Sequence, residues 1–338
     1  MPAASERRDT RTAERRDPSL VPSISAVVPM FNEEENAAPF LRALADSLAA
    51  LTHSFEIVVV NDGSRDGTRE AALALGRACR LQYVELSRNF GKEAALTAGL
   101  EAARGDVVVI LDADFQHPLA CLAPMLERWR EGFDMVYAVR ESRRDESLAK
   151  RAGTALFYWL LERGSQVAIP AGAGDFRLMD RKVVAALLRL PERSRFMKGL
   201  YAWVGFRSIP FPYEAQPRAA GQSSFSFRRL ASLAFAGLTA FSYLPLRAIS
   251  GLGVIVSLGA LGYGGWVAVE ALLFGSNVPG YPTIVVSIMF FSGVQLLSLG
   301  VVGEYLARVF EEVKQRPGFV VADAADFSEL PPRQPPRS

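Results

Sequence analysis

With 338 residues the chain is too long for one average domain and suits one large α/β domain with an appendage. Half of its residues are apolar, and a formal net charge of only +2 argues against a general nucleic-acid binder. Its only two cysteines, Cys79 and Cys121, supply neither a disulfide framework nor a metal cluster, and they fit core positions in a reducing compartment.

In chain order, residues 1–22 interleave Arg7, Arg8, Arg11, Arg15 and Arg16 with Glu6, Asp9, Glu14 and Asp17 and contain no apolar run. A secretory signal needs such a run, so this stretch reads as a disordered tail. From Ser23 onward, short β-branched runs alternate with helical patterns, the signature of a parallel sheet covered by helices. Strands are expected at Ile24–Val28, Glu56–Val60, Leu81–Leu86, Val107–Leu111 and Met135–Val139. Helices are expected near Glu34–Leu51, Thr68–Cys79, Lys92–Ala103 and Leu119–Glu131, where Leu or Ala recurs at helical spacing.

Polar residues punctuate the strand ends. Asn32-Glu33-Glu34 follows the first strand, Asn61-Asp62-Gly63-Ser64 the second, and Asp112-Ala113-Asp114 with Gln116 the fourth. Ligands of open α/β sheets bind beyond the carboxyl ends of the strands, so these residues are the first candidates for a site. Two carboxylates at the tip of a buried strand repel each other. A divalent cation bridging diphosphate oxygens relieves that repulsion and neutralises charge on a departing nucleotide diphosphate.

Toward the C-terminus, Leu230–Leu246 is uncharged but is flanked by Arg228, Arg229 and Arg247 and interrupted by Pro245, which favours interfacial helices over residues 223–246. Ala248–Val269 and Pro282–Gly303 then contain no Asp, Glu, Lys or Arg. Each would span ~33 Å as a helix, enough for a hydrocarbon core of ~30 Å, so residues 247–306 are expected to form two transmembrane helices. The connection Phe274–Tyr281 has no basic residue, whereas Arg247 precedes the first span and Arg308, Lys314 and Arg316 follow the second. Positive residues stay on the cytoplasmic side, which puts the large domain and the C-terminal tail, residues 307–338, in the cytoplasm of a multi-pass inner-membrane protein. Ala260, Gly264 and Ala268 recur every fourth residue on the first span and offer a close-packing face to another helix.

Taken in order, Pro29-Met30-Phe31-Asn32-Glu33-Glu34, Asn61-Asp62-Gly63-Ser64, Arg88-Asn89-Phe90-Gly91-Lys92 and Asp112-Ala113-Asp114-Phe115-Gln116 resemble the motifs of inverting GT-A glycosyltransferases. More narrowly, they resemble the dolichyl-phosphate mannosyltransferase and bactoprenol glucosyltransferase group. The resemblance continues through Gly174-Asp175-Phe176-Arg177-Leu178-Met179, Arg195-Phe196-Met197-Lys198-Gly199-Leu200, Arg218 with Gly221-Gln222-Ser223, and Gly303-Glu304-Tyr305, covering roughly Ile24 to Val320. It implies a GT-A domain over residues 23–222, with a Rossmann-like, mostly parallel sheet. It also implies inverting transfer of a sugar, glucose first, from a nucleotide diphosphate sugar to polyprenyl (undecaprenyl) phosphate for modification of a cell-envelope glycan. UDP-glucose is the favoured donor and GDP-mannose the alternative. The implied cofactor is Mg²⁺ or Mn²⁺, and the implied setting is a membrane-bound homo-oligomer.

Carried over position by position, the resemblance sets Pro29, Asn32, Glu33 and Asp62 around the base and ribose, and Lys92 and Asp112 near the ribose and diphosphate. Asp114 and Gln116 would hold the metal, Asp114 thereby being catalytic. Helix capping by Asn32 and Asp62, and a solvated Lys92, are the alternatives. Arg140, Arg151 and Arg218 are the implied clamps for the acceptor phosphate, with Arg143 and Arg144 as competitors. Asp175 is a base, a positioning residue, or a structural carboxylate paired with Arg177. One departure is His117-Pro118-Leu119, which keeps a single proline where relatives have two.

Other readings fit less well. A processive polysaccharide synthase carries Gln-x-x-Arg-Trp, but Met125 stands where that Gln should precede Arg128-Trp129. A nicotinamide-dependent dehydrogenase needs Gly-x-Gly-x-x-Gly after its first strand, and Pro29–Glu34 has no glycine. A non-catalytic membrane scaffold would not need to keep Asp62, Asp112 and Asp114.

Overall fold

The valine-rich runs become the middle of an eight-stranded sheet, seen in a computed structural model. It describes residues 15–17, 20–140, 173–192, 195–213 and 280–331, with isolated positions between 253 and 273. The strands are β1 (Ile24–Met30), β2 (Phe55–Asn61), β3 (Leu81–Leu86), β4 (Val107–Ile110), β5 (Met135–Arg140), β6 (Ala173–Asp180), β7 (Ser208–Tyr213) and β8 (Val321–Asp326). Their order across the sheet is β7-β5-β6-β4-β1-β2-β3-β8. The pairings β1/β2, β1/β4, β2/β3 and β5/β7 are parallel, whereas β6 runs antiparallel to both neighbours and β8 antiparallel to β3. The expected mostly parallel α/β sheet is present. Every residue of β2 and β4 is buried, as a strand covered by helices on both faces requires.

Helices α1 (Glu34–Ala49), α2 (Thr68–Leu73), α3 (Lys92–Ala102) and α4 (Leu122–Arg130) follow the first four strands, and α5 (Arg181–Leu188) and α6 (Met197–Trp203) follow β6. Helix α1 buries Ala37, Phe40, Leu41, Leu44 and Leu48, the face expected from its periodicity. Helix α2 is shorter than its pattern suggested, giving way to turns before β3.

Three segments depart from the sequence reading. Ala173–Asp180 has no β-branched residue yet lies inside the sheet as β6, because its neighbours β4 and β5 supply the pairing. The C-terminal segment, expected as a plain tail, adds β8 to the edge of β3. The disordered tail expected up to residue 22 also gives way within that span. Arg16 donates to Phe133 O at 2.9 Å and Asp180 Oδ2 at 2.8 Å, and its guanidinium lies 4.4 Å from the centre of the Trp129 ring.

A second unit holds helix α7 (Tyr281–Lys314). Its Phe290–Lys314 stretch, 25 residues with mean hydropathy 1.3, is the one helix among the described residues long and apolar enough to cross a membrane. Ile288, Leu296 and Leu306 on α7 are 60%, 69% and 65% exposed. Of the first expected span, the described positions Ile255, Leu258, Tyr263 and Trp266 are helical and exposed. Gly253, Gly259, Gly262 and Val269 of that span are also described and helical, whereas its other positions, the interfacial segment and the Ala260, Gly264 and Ala268 face lie outside the described residues.

Helix α3 approaches the sheet closely at Gly99, where an added Cβ would collide with Val27 and stand 3.2 Å from Val60. Both neighbouring valines are themselves fully buried and have no room to yield. Gly99→Ala is therefore expected to cost about 1–3 kcal/mol by overpacking. Thermal unfolding of the detergent-solubilised chain checks this, and an unchanged midpoint would contradict the packing.

Candidate active site

The strand directions decide what meets at one edge of the sheet. Parallel pairing brings the carboxyl ends of β1, β2 and β4 together, with Met30 opposite Asn61 and Val27 opposite Ile110. Because β6 runs the other way, its amino end arrives at that same edge, carrying Gly174 and Asp175 just beyond the Ile110–Arg177 pair. Arg140 and Tyr213 close β5 and β7 there, in register with each other.

The first two strand ends are laced together by side chains. Asn32, at φ +54°, donates its N–H to Ser64 Oγ at 2.9 Å and accepts from the Arg65 N–H at 2.9 Å. Glu33 donates its N–H to Thr68 Oγ1 at 2.8 Å and accepts from Asn36 Nδ2 at 2.8 Å. Pro29 lies half-buried in β1 opposite Val60. Gly63, at φ +66°, leaves no room for a side chain, since an added Cβ would stand 2.7 Å from the Asn89 nitrogen.

Asp62 is 3% exposed, and both its oxygens are engaged: Oδ1 accepts from the Phe90 N–H at 2.7 Å and Oδ2 from the Gly91 N–H at 2.9 Å. Burial raises its pKa, opposed by those two N–H groups and by Arg88. In this state Asp62 holds the loop that presents Lys92 at the start of α3. Lys92 Nζ sits 2.7 Å from Asp112 Oδ1, 2.8 Å from Asp112 Oδ2 and 3.0 Å from Asp175 Oδ2. Burial alone would lower the lysine pKa, but the two carboxylates outweigh it and hold the ammonium above its usual range. Burial likewise pushes Asp175 up, yet Lys92, helped by Lys198 and Arg177, pulls its pKa down to about 2.

Asp175 therefore pairs with Lys92. Arg177 instead donates to Gly174 O at 2.6 Å and stacks 3.5 Å from the centre of the Tyr201 ring. The tip after β4 is a tight turn: Asp114 Oδ1 accepts from the Gln116 N–H at 3.0 Å, and Phe115, at φ +58°, packs edge-on against Phe40. Among the described residues no group of three or more His, Cys, Asp or Glu forms a ready-made metal cluster.

Sequence reasoning did not assign His117, whose only signal was the missing second proline. Its ring lies 4.8 Å from Phe176 and 5.5 Å from Tyr213 between centroids, and its Nε2 is 4.0 Å from Asp112 Oδ2. Burial lowers its pKa against the pull of Asp112 and Asp114. Among the expected acceptor clamps, Arg140 is at the right edge by backbone position, while Arg151, Arg218, Arg143 and Arg144 lie outside the described residues.

A carboxylate-tipped edge on a mostly parallel sheet is architecture shared by many transferases, and sequence comparison narrows it: the chain is a glycosyltransferase. Residues 25–188 match glycosyl transferase family 2. An uncharacterized glycosyltransferase of Synechocystis is 45% identical over 91% of this chain and 97% of its own length. The SfII prophage-derived bactoprenol glucosyl transferase of Shigella flexneri is 42% identical over 88% of this chain and 97% of its own. The chain belongs to glycosyl transferase family 2. Among solved structures, glucosyl-3-phosphoglycerate synthase of Mycobacterium tuberculosis with Mn²⁺, UDP-glucose and phosphoglyceric acid aligns over 64% of this chain and 78% of that one, at 20% identity and a TM-score of 0.42.

Because the Asp175 carboxyl is held near 2, below its ordinary 3.8, its pairing stabilises the fold above about pH 4 and is lost as pH falls toward about 2. Lys92→Met removes that contribution and leaves two carboxylates facing each other. The variant is expected to unfold at a lower temperature near neutral pH, with the gap to the parent closing in acid. Melting curves across pH test this, and a gap independent of pH would contradict the pairing.

Proposed function

We propose that this protein transfers a sugar, glucose first, from a UDP-sugar to the phosphate of a polyprenyl lipid, with inversion at the anomeric carbon. The observation that carries the reading is the gathering of Asp112, Lys92, Asp175 and the Asp114–Gln116 turn at one sheet edge. The likeness to a bactoprenol glucosyl transferase over most of both chains, together with the exposed apolar helix α7, supports the lipid as acceptor and the cytoplasmic face of a membrane as the location.

The residues present suit a divalent ion that arrives with its nucleotide. Mg²⁺-type sites use one or two carboxylates plus substrate phosphates, and Asp114 with Gln116 provides one carboxylate and one amide beside the strand tip. When bound, such an ion neutralises charge on the leaving diphosphate. The chain's own groups do the rest. Lys92 offers a cation beside Asp112 where a diphosphate oxygen can replace a carboxylate as its partner. Asp62 and Gly91 hold that lysine in place through the loop before α3.

Asp175, with a pKa near 2, stays ionised and positions Lys92. It is a poor proton acceptor, and the proposed acceptor needs none, since a phosphate monoester with a second pKa of ~6 is already an anionic nucleophile. Arg140, Arg151 and Arg218 are the groups we assign to that phosphate.

Membranes containing the protein, undecaprenyl phosphate and a panel of labelled nucleotide sugars, GDP-mannose among them, test the reading. Labelled lipid is expected with UDP-glucose, and Asp114→Ala should lower its formation by about 100- to 1,000-fold while the protein stays folded and membrane-bound. Undiminished transfer by that variant overturns the metal assignment, and no labelled lipid from any donor overturns the function.

A further inference from the structure

Helix α6 has no part in the reaction outlined above, yet its first turn is fixed beside the Lys92–Asp175 pair. Side chains alternate along β6: Phe176 packs against His117 and Tyr213, which leaves Asp175 and Arg177 to the opposite face. Helix α6 covers that face, since the Arg177 guanidinium lies 3.5 Å from the centre of its Tyr201 ring. Lys198 sits one turn before Tyr201, on the same side of the helix. The Met197 N–H meanwhile donates to the carboxylate of Glu93, the residue that follows Lys92 on α3. Two anchors, one to β6 and one to α3, thus bring Lys198 to the donor edge.

The electrostatics agree with that placement. Burial pushes Asp175 up, and after Lys92 it is Lys198 that draws it down. Burial and Asp175 raise Glu93, against the Met197 N–H, Lys92 and Lys198. Lys198 therefore reaches the same carboxylate as Lys92, from a different helix.

The three cations around Asp175 differ in what already occupies them. Lys92 is shared between Asp112 and Asp175. Arg177 is 3% exposed and engaged by Gly174 O and the Tyr201 ring. Lys198 is only half-buried, and among the described residues no ion pair or hydrogen bond takes up its ammonium. A phosphate group entering this edge comes close to Asp112 and Asp175, and a second ammonium lowers the repulsion it meets. An ammonium binds phosphate oxygens as a point charge with three rotatable donors, so a flexible lysine on a fixed turn suits that task.

We propose that Lys198 binds a phosphate oxygen of a substrate at the donor edge, alongside Lys92. The inference rests on the transfer proposed above, in which the leaving diphosphate and the acceptor monophosphate both present such an oxygen.

Calorimetric titration of the detergent-solubilised full chain with UDP and Mn²⁺, together with transfer kinetics on undecaprenyl phosphate, separates the two sources. If Lys198 holds the diphosphate, Lys198→Met weakens UDP binding about tenfold or more. If it holds the acceptor, UDP affinity stays at the parent's value and KM for undecaprenyl phosphate rises about tenfold or more. Lys198→Gln serves beside it should an apolar side chain disturb the packing of α6, and Lys198→Arg, which keeps the charge, is expected to recover most of the loss. Parental UDP affinity and parental KM in both neutral variants overturn this inference alone, whatever their thermal midpoints, and so does a loss that Lys198→Arg does not recover. A parent chain that neither binds UDP nor forms labelled lipid overturns the transfer reading, and this inference with it.

Discussion

The ammonium of Lys92 is the contact on which the edge of this sheet depends. Asp112 follows β4 and Asp175 starts β6, and these adjacent antiparallel strands bring two carboxylates to one place. Without a cation between them, the two carboxylates would repel each other. Lys92 is held there in turn by Asp62, whose two oxygens fix the backbone at Phe90 and Gly91 immediately before the lysine. The chain of support thus runs from β2 through a buried carboxylate to a loop, and from that loop to a cation joining β4 and β6.

How much of this was legible depended on where the information lay. The β-branched runs that build β1, β2 and β4 announce themselves because a doubly covered strand must be apolar along its length. The polar residues after them were legible by position, and Asp62, Asp112 and Asp114 do stand at strand ends on one edge. Strand β6 was not legible, since Asp175, Arg177 and Asp180 break any apolar pattern. Arg177 is buried there because Gly174 O and the Tyr201 ring receive its guanidinium, a compensation that only tertiary structure supplies. The role of Asp62 was half legible. Its place suggested nucleotide contact or capping, and the structure adds that its two oxygens accept from the backbone of the next loop.

The return of the C-terminus was hidden for a similar reason. Val321–Asp326 alternates small and acidic residues and resembles a solvated tail, yet it covers the edge of β3. Its acids find arginines distant in sequence: Arg69 joins Glu85 to Asp323, and Arg104 donates to Asp326 Oδ2 at 2.6 Å and Leu330 O at 2.9 Å. Phe327 fills the space that a side chain at Gly76 would need. An exposed edge strand invites pairing with other chains, and a short charged strand laid over it blunts that hazard. Partly exposed ion pairs contribute little each, so the register of β8 owes more to its ladder, Phe327 and the buried Leu330.

The state of Asp175 ties the electrostatics to the kind of acceptor the enzyme suits. A transferase that acts on a sugar hydroxyl needs a group to take the proton, and a carboxylate held near 2 has almost no tendency to do so at neutral pH. An acceptor that arrives as an anion removes that need and replaces it with another, a cationic surround that tolerates its charge. Lys92 serves two carboxylates at this edge in this structure. The carboxyl end of β5 supplies Arg140 there by backbone position. A carboxylate lowered out of range is consistent with a phosphate nucleophile, which needs no proton acceptor. His117 lies at the same edge, its Nε2 facing Asp112 and its ring packed between Phe176 and Tyr213.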